Sequence, residues 1–276
     1  MTADTPLPDY QNPPVVEVVF AVAIRSLPLS VVDLVKFGLE HLSPDFTGQR
    51  EQPSIRMPVE SFGPAGELDL EPSLQLLSGP PPTRLWFQSN DNQRLVQLQR
   101  DWLACNWRDS SPGAEYPRYG SIEGFFLETW ESFERFAEKN GAKGTPVAQQ
   151  CELTYINHIT PGPTWHGHGQ VDKVLRLAGQ AGPFLPEPED AQLAFRYRIA
   201  HEGRDVGRLI VQAVPAWRRT DQSPLVQLSL TARGTPPTGG RNGLAAFFRL
   251  AHQWIVRGFE AVTTDQAQTQ LWGKIP

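Results

Sequence analysis

A chain of 276 residues with 39% hydrophobic and 10% aromatic content can bury one large core or two joined halves. Its 26 prolines and 23 glycines argue against a helical bundle and for many short elements joined by stiff connections. A net charge of −5 and a pI near 5.7 give no general pull towards phosphate backbones, which disfavours non-specific nucleic-acid binding.

Residues 1–10 are polar and proline-containing, without the apolar stretch a signal peptide needs. Pro13-Pro14 then delivers the chain, extended, into a strand over 15–25. Val16, Val18, Phe20, Val22 and Ile24 share one face of it, and the other face is only half polar, as in a strand covered on both sides. This longest apolar stretch contains Glu17 and is too short to span a bilayer, so no membrane partner and a cytoplasmic location are expected. Ser30 with Asp33 predicts a capping box opening a helix that Ser43-Pro44 stops. Residues 45–83 carry only weak strand patterning.

The spacing predicts a hairpin of 84–89 and 94–107 around Asn90-Asp91-Asn92. From Ser121 a helix follows with Ile122, Phe126, Trp130, Phe133 and Ala137 on one face, ended by Asn140-Gly141. A strand over 149–159 leads into a Pro/Gly-rich excursion at 160–190, long enough for a lid or docking loop, with a short helix expected at 171–177. Strands are expected at 193–199, 207–214 and 225–233. The longest helix is expected at 243–262, with Leu244, Phe247, Phe248, Ala251, Trp254, Ile255, Phe259 and Val262 as its apolar stripe. Thr264-Asp265 should cap a last short helix. Cys105 and Cys151 lie in strand-like stretches and read as buried thiols in a reducing compartment.

These elements predict an α+β fold: antiparallel sheets with long aromatic-faced helices packed on one face. They fall into two halves, 1–145 and 146–276, expected to be pseudo-repeated and joined in one compact unit.

Five segments carry a resemblance. They are Asn12-Pro13-Pro14-Val15-Val16-Glu17-Val18-Val19-Phe20, Asn106-Trp107-Arg108 with Tyr116-Pro117, Tyr155-Ile156-Asn157, Phe259-Glu260, and Thr264-Asp265 with Leu271-Trp272-Gly273. In order and spacing the chain resembles a sporadically distributed bacterial family of uncharacterised proteins of about this length. The resemblance implies no activity, substrate or cofactor; patchy distribution suits genes on mobile or defence-related loci.

Motifs for chemistry are sparse. There is no G-x-x-x-x-G-K-[ST], no G-x-G-x-x-G between strand and helix, and no G-x-S-x-G. Gly239-Gly240-Arg241 before the longest helix could hold an anion but reads better as a helix entry. His166 and His168, with His158 nearby, lack the fixed spacings of a zinc site, and the pair, in a Pro/Gly loop, reads as solvated loop histidines. Cys151 and His158, an odd separation apart, fall on opposite strand faces. No catalytic residue, metal site or cofactor is therefore expected.

One polar group stands out as a binding set: Asn106, Arg108, Tyr116, Arg118, Tyr119, Asn157, Arg196 and Arg198, which on a continuous sheet could line a concave surface for an anionic ligand or acidic peptide. The alternative for Arg108 is structural, satisfying strand-end or helix-terminal carbonyls while Trp107 and Tyr116 pack. The expected function is a non-enzymatic binding or assembly module with a protein partner. One alternative is a metal-dependent hydrolase or nuclease whose site forms only in three dimensions. Another is a single-stranded nucleic-acid binder using Arg84, Arg94, Arg100, Arg108, Arg196 and Arg198 on one sheet face.

Overall fold

The computed structural model describes residues 6–60, 62, 83–110, 115–141, 146–176, 184–186 and 188–275. Alternating strand patterns and the Pro/Gly punctuation produce β1 (Asp9–Tyr10), β2 (Val15–Ile24), β3 (Gly48–Pro53), β4 (Thr83–Gln88), β5 (Arg94–Gln99), β6 (Trp102–Arg108), β7 (Ala148–Ile159), β8 (Leu193–His201), β9 (Arg204–Trp217), β10 (Pro224–Gly234) and β11 (Lys274–Ile275). The helices are α1 (Val31–His41), α2 (Arg118–Lys139), α3 (Gly240–Val262) and α4 (Asp265–Gln270), with a 3-10 turn at His168–Lys173. The fold is α+β. Nine strands form one antiparallel sheet in the order β3-β4-β5-β6-β2-β7-β10-β9-β8, and β1 pairs separately with β11. The sheet runs unbroken across the boundary expected between the halves, where β2 pairs antiparallel with β7.

The capping box forms as expected: the Asp33 N–H donates to Ser30 Oγ at 3.2 Å and the Ser30 N–H to Asp33 Oδ2 at 2.7 Å. α1 then lies so close to β4 that a Cβ on Gly38 would stand 2.1 Å from the Phe87 ring, which is why only glycine fits there. The strand expected over 94–107 is two strands. Arg100 and Asp101 form a tight turn whose carbonyls accept from Leu27 and Ile24, so the run folds back on itself and adds a strand to the sheet. α2 starts at Arg118 rather than Ser121, and its whole expected stripe is buried together with Leu127, Thr129 and Phe136. α3 buries Leu244, Phe247, Phe248, Ala251, Ile255, Phe259 and Val262, but Trp254 stays half-buried at the margin.

α2 packs on β6 and β2, and α3 on β7, β10 and β9. Val18, Phe20 and Val22 of β2 meet them. The Phe20 ring stacks 5.5 Å from Phe126 and lies 4.9 Å from Phe248, so one strand residue joins both helices to the sheet. The excursion at 160–190 falls partly outside the described residues; its first part is not a free lid. Trp165, Val174 and Leu175 are buried, Trp165 Nε1 donates to Thr160 O at 3.0 Å, and the Thr264 N–H donates to Val174 O at 3.0 Å. The 3-10 turn replaces the helix expected at 171–177, whose last residue lies outside the described residues.

The opposite sheet face is crossed by a strap, residues 54–60. Gln99 clamps Ile55 through both its side-chain amide groups, at 2.7 and 3.0 Å, and Gln150 does the same for Pro58 O and the Glu60 N–H. Met57 packs on Ala21, Trp102 and Ala104. The Glu60 carboxylate ends the strap between Arg208 and Arg233, with Arg233 3.2 Å away and also 2.6 Å from Glu152. A largely buried charge held by two guanidiniums is costly to remove, since the cations then lose part of their compensation. Glu60→Gln should lower unfolding free energy by roughly 2 kcal/mol, read as a shift in urea midpoint; an unchanged midpoint would show that the strap is held by its amide clamps alone. Among the described residues, no helix is long and apolar enough to cross a membrane.

Candidate ligand-binding cavity

Two proline-rich approaches to secondary structure build the site. Residues 7–15 cannot form a helix through Pro8, Pro13 and Pro14, so they run as an extended arm. The arm is tied down by the β1–β11 pair, by the Gln11 N–H donating to Gly273 O and by the Asn12 N–H donating to Trp272 O, both at 3.0 Å. The Tyr10 ring meets Phe259 and Trp272 edge-on at 5.5 and 6.2 Å. At the other approach, Pro117 sets the start of α2, and Arg118 adopts φ +64°, a left-handed conformation rare outside glycine. Such strain costs on the order of 1 kcal/mol and persists where surrounding contacts require it. Here Arg118 Nη1 donates to Asp9 Oδ1 at 2.7 Å and Nη2 to Tyr10 O at 3.4 Å, locking the arm to the helix.

Between the arm, the start of α2, the end of β7 and the middle of α3 lies a cavity of about 440 Å³. Its wall is a run of touching rings. Trp107 backs Tyr116 at 5.3 Å, Tyr116 meets Tyr155 at 6.4 Å, Tyr155 meets His252 at 6.0 Å, and His252 stacks on Tyr119 at 3.9 Å with 16° between the planes. Leu230, Ile255, Val256 and Phe259 complete the apolar side. The Tyr116 hydroxyl donates to that of Tyr155 at 3.0 Å, Tyr119 donates to Glu123 at 2.6 Å, and the Asn157 amide donates to Leu228 O at 3.0 Å. Neither nitrogen of His252 has a hydrogen-bond partner among the described residues.

Burial dominates the electrostatics. It pushes the Tyr116 hydroxyl up to about 12 and raises those of Tyr119 and Tyr155 as well, the last two also next to Glu123. It lowers His252 to about 4, with no carboxylate close enough to offset it. Buried charge is disfavoured whichever its sign, so acid and base alike are held neutral near pH 7.

Four of the residues expected to bind, Tyr116, Arg118, Tyr119 and Asn157, meet here. The other four do not. Asn106 and Arg108 lie on the opposite sheet face, where Glu17 Oε1 accepts from Asn106 Nδ2 at 2.6 Å and from Arg108 Nε at 3.0 Å, and Gln97 donates to Asn106 at 2.7 Å. Arg108 thus serves a carboxylate and the face of Trp86, 5.6 Å away, and no carbonyl among the described residues. Arg196 and Arg198 sit on the edge strand β8, Arg198 pairing with Asp205 at 3.1 Å. Strand alternation splits the set, because Asn106 and Arg108 point away from Trp107 and Asn157 points with Tyr155.

The arginines of the nucleic-acid alternative are divided too: Arg94 lies over Phe125 of α2 at 5.1 Å, whereas Arg84 and Arg108 flank Trp86 on the far face. His168 is not solvated but buried, its Nε2 3.1 Å from Ala216 O and 2.9 Å from Leu225 O. Among the described residues no three His, Cys, Asp or Glu side chains gather as metal ligands. Cys105 and Cys151 are free and fully buried, with burial pushing the Cys105 thiol up to about 12. Arg241 pairs with Glu131 of α2, which ties the entry of α3 to its neighbour.

The expected set omitted His252 and the arm. The signal for His252 was its place at i+4 from Phe248 and i−3 from Ile255 on the apolar side of α3, a position where an imidazole must be accommodated by burial. No protein-family model matches this chain, and no curated protein matches it.

Proposed function

We propose that this protein is a non-enzymatic binding or assembly module and that its site is the cavity between the N-terminal arm, α2 and α3. The observation that carries this reading is convergence. Pro13, Pro14, Val15, Tyr116, Tyr155, Asn157 and Phe259, all from segments that carry the family resemblance, line one cavity, and Trp272 and Gly273 hold its arm. Strained Arg118 at its rim supports the same conclusion. Binding suits the site better than acid–base catalysis, because a general base works best with a pKa near the working pH and His252 lies well below it.

The reading extends to the whole chain. The order β2-β6-β5-β4 in one half matches β7-β10-β9-β8 in the other, each half pairing its first strand with its last before a long helix, which supports two pseudo-repeats with aromatic-faced helices. A protein partner could add to β3 or β8, which end the sheet among the described residues. Free buried thiols fit a reducing cytoplasm, and a bacterial mobile or defence-related locus fits the resemblance.

The test is occupancy. Prodan, a neutral naphthalene dye whose emission shifts in apolar surroundings, should bind the protein and blue-shift. Val256→Trp, which adds bulk to the cavity wall, should abolish the shift while circular dichroism stays native. Equal dye binding by both proteins would sink the cavity as the site.

A further inference from the structure

The cavity wall has hydrogen-bonding capacity that the described residues leave unused. Tyr116 and Tyr155 carry two hydroxyl protons between them and spend one on their mutual bond. One O–H therefore remains to donate, whichever way the pair is oriented. Neutral His252 adds one N–H donor and one ring-nitrogen acceptor, neither engaged among the described residues. These groups belong to neighbouring rings, Tyr155 and His252, whose centroids are 6.0 Å apart, so one small ring can meet both. Around them the wall offers ring faces and edges rather than flexible chains, the surroundings that favour a flat ligand. A volume of about 440 Å³ lies in the usual range of small-molecule pockets.

Charge narrows the class. The one guanidinium among the described lining residues, Arg118, is paired with Asp9 at 2.7 Å, so no unpaired guanidinium of that lining awaits an anionic ligand. Asp9, the carboxylate among the described lining residues, is engaged in turn by Arg118, and Glu123 beside the cavity accepts from the Tyr119 hydroxyl, so neither awaits a cationic ligand. The neutral states of His252 and the tyrosines report the same environment, hostile to a buried charge of either sign.

We infer that the cavity takes an uncharged planar heterocycle that bears an amide, presenting a carbonyl acceptor beside an N–H donor. The carbonyl takes the spare tyrosine hydroxyl, the amide N–H or ring nitrogen pairs with His252, and the ring lies along the aromatic wall. This rests on the binding reading above and names its ligand chemistry.

Three probes of nearly one shape isolate the charge: nicotinamide is neutral, nicotinate is an anion, and 1-methylnicotinamide is a cation. Each is titrated into the full chain by ligand-observed NMR at pH 7. Nicotinamide should bind at least about tenfold more tightly than either charged analogue, because a buried charge must be desolvated without a partner. His252→Phe keeps the stacked ring and removes both nitrogens. The double variant Tyr116→Phe with Tyr155→Phe removes both hydroxyls and leaves neither orphaned. Each should weaken nicotinamide by about 2- to 12-fold, the range for one lost hydrogen bond. Binding of a charged analogue as tight as the neutral one would overturn the inference and leave the cavity reading intact, as would nicotinamide affinities unchanged in both variants. Failure of all three probes would also overturn it, and the dye titration would then decide separately whether the cavity binds anything.

Discussion

Phe126→Ala should lower the unfolding free energy by about 3–5 kcal/mol, the usual cost of emptying a fully buried phenylalanine site. The side chain is completely inaccessible, stacked 5.5 Å from Phe20 and edge-on 5.0 Å from Phe248. It is thus the joint at which α2, α3 and β2 meet. Neither helix can close the void by a local rotamer change, because each neighbour is itself fully buried. For a chain of this size the loss corresponds to a fall in Tm of roughly 10 °C. Trp254→Ala is the control. Sequence patterning gave Trp254 the same weight, but it stands half-exposed at the edge of the core, so its loss should cost only about 1–2 kcal/mol. Urea titrations followed by far-ultraviolet circular dichroism compare the two; a larger loss for Trp254→Ala would show that the packing centre lies elsewhere.

Stability should also fall as pH drops from about 6.5 towards 4, and His252 should account for a separable part of the fall. Its folded pKa, about 4, lies below the ordinary 6.5 because burial penalises the imidazolium. Above pH 6.5 the ring is neutral in both states and contributes no pH dependence. Between 6.5 and 4 the unfolded chain takes up the proton that the folded chain refuses, so stability decreases with falling pH. At 1.36 kcal/mol per unit, the full interval amounts to about 3 kcal/mol. His158, also lowered by burial, acts with the same sign, so the measurement is a difference. The urea midpoint of His252→Phe, which keeps the stack on Tyr119, should fall less steeply over this range than that of the unaltered chain. Parallel profiles would mean that His252 is solvated enough to protonate in place.

Both results depend on how far the local sequence can be trusted. The α2 stripe was legible because four large apolar residues and an alanine recur at helical spacing and no other arrangement hides them together. The Ser30 capping box was legible because its partners are three residues apart. The strand over 94–107 was misread because no Gly, Pro or Asn marks the reversal at Arg100–Asp101; the turn shows only in the strands it aligns. Trp254 was over-weighted because helical spacing gives the direction of a side chain and not the depth of what it faces.

The candidate site divides along the same line. Tyr116, Arg118, Tyr119 and Asn157 were picked out as unusual polar and aromatic groups near element ends, and their types alone sufficed for that. Grouping them with Asn106, Arg108, Arg196 and Arg198 required knowing which face each strand turns inward, which depends on pairing partners hundreds of atoms away along the chain. Composition and periodicity by themselves determined that the protein is α+β, with antiparallel strands and several helices, since those features follow from side-chain burial over a few residues. Only the tertiary structure decided that a proline-stiffened arm, two helices and the end of β7 enclose a neutral cavity, because closure of that space is set by contacts between segments that share no local signal.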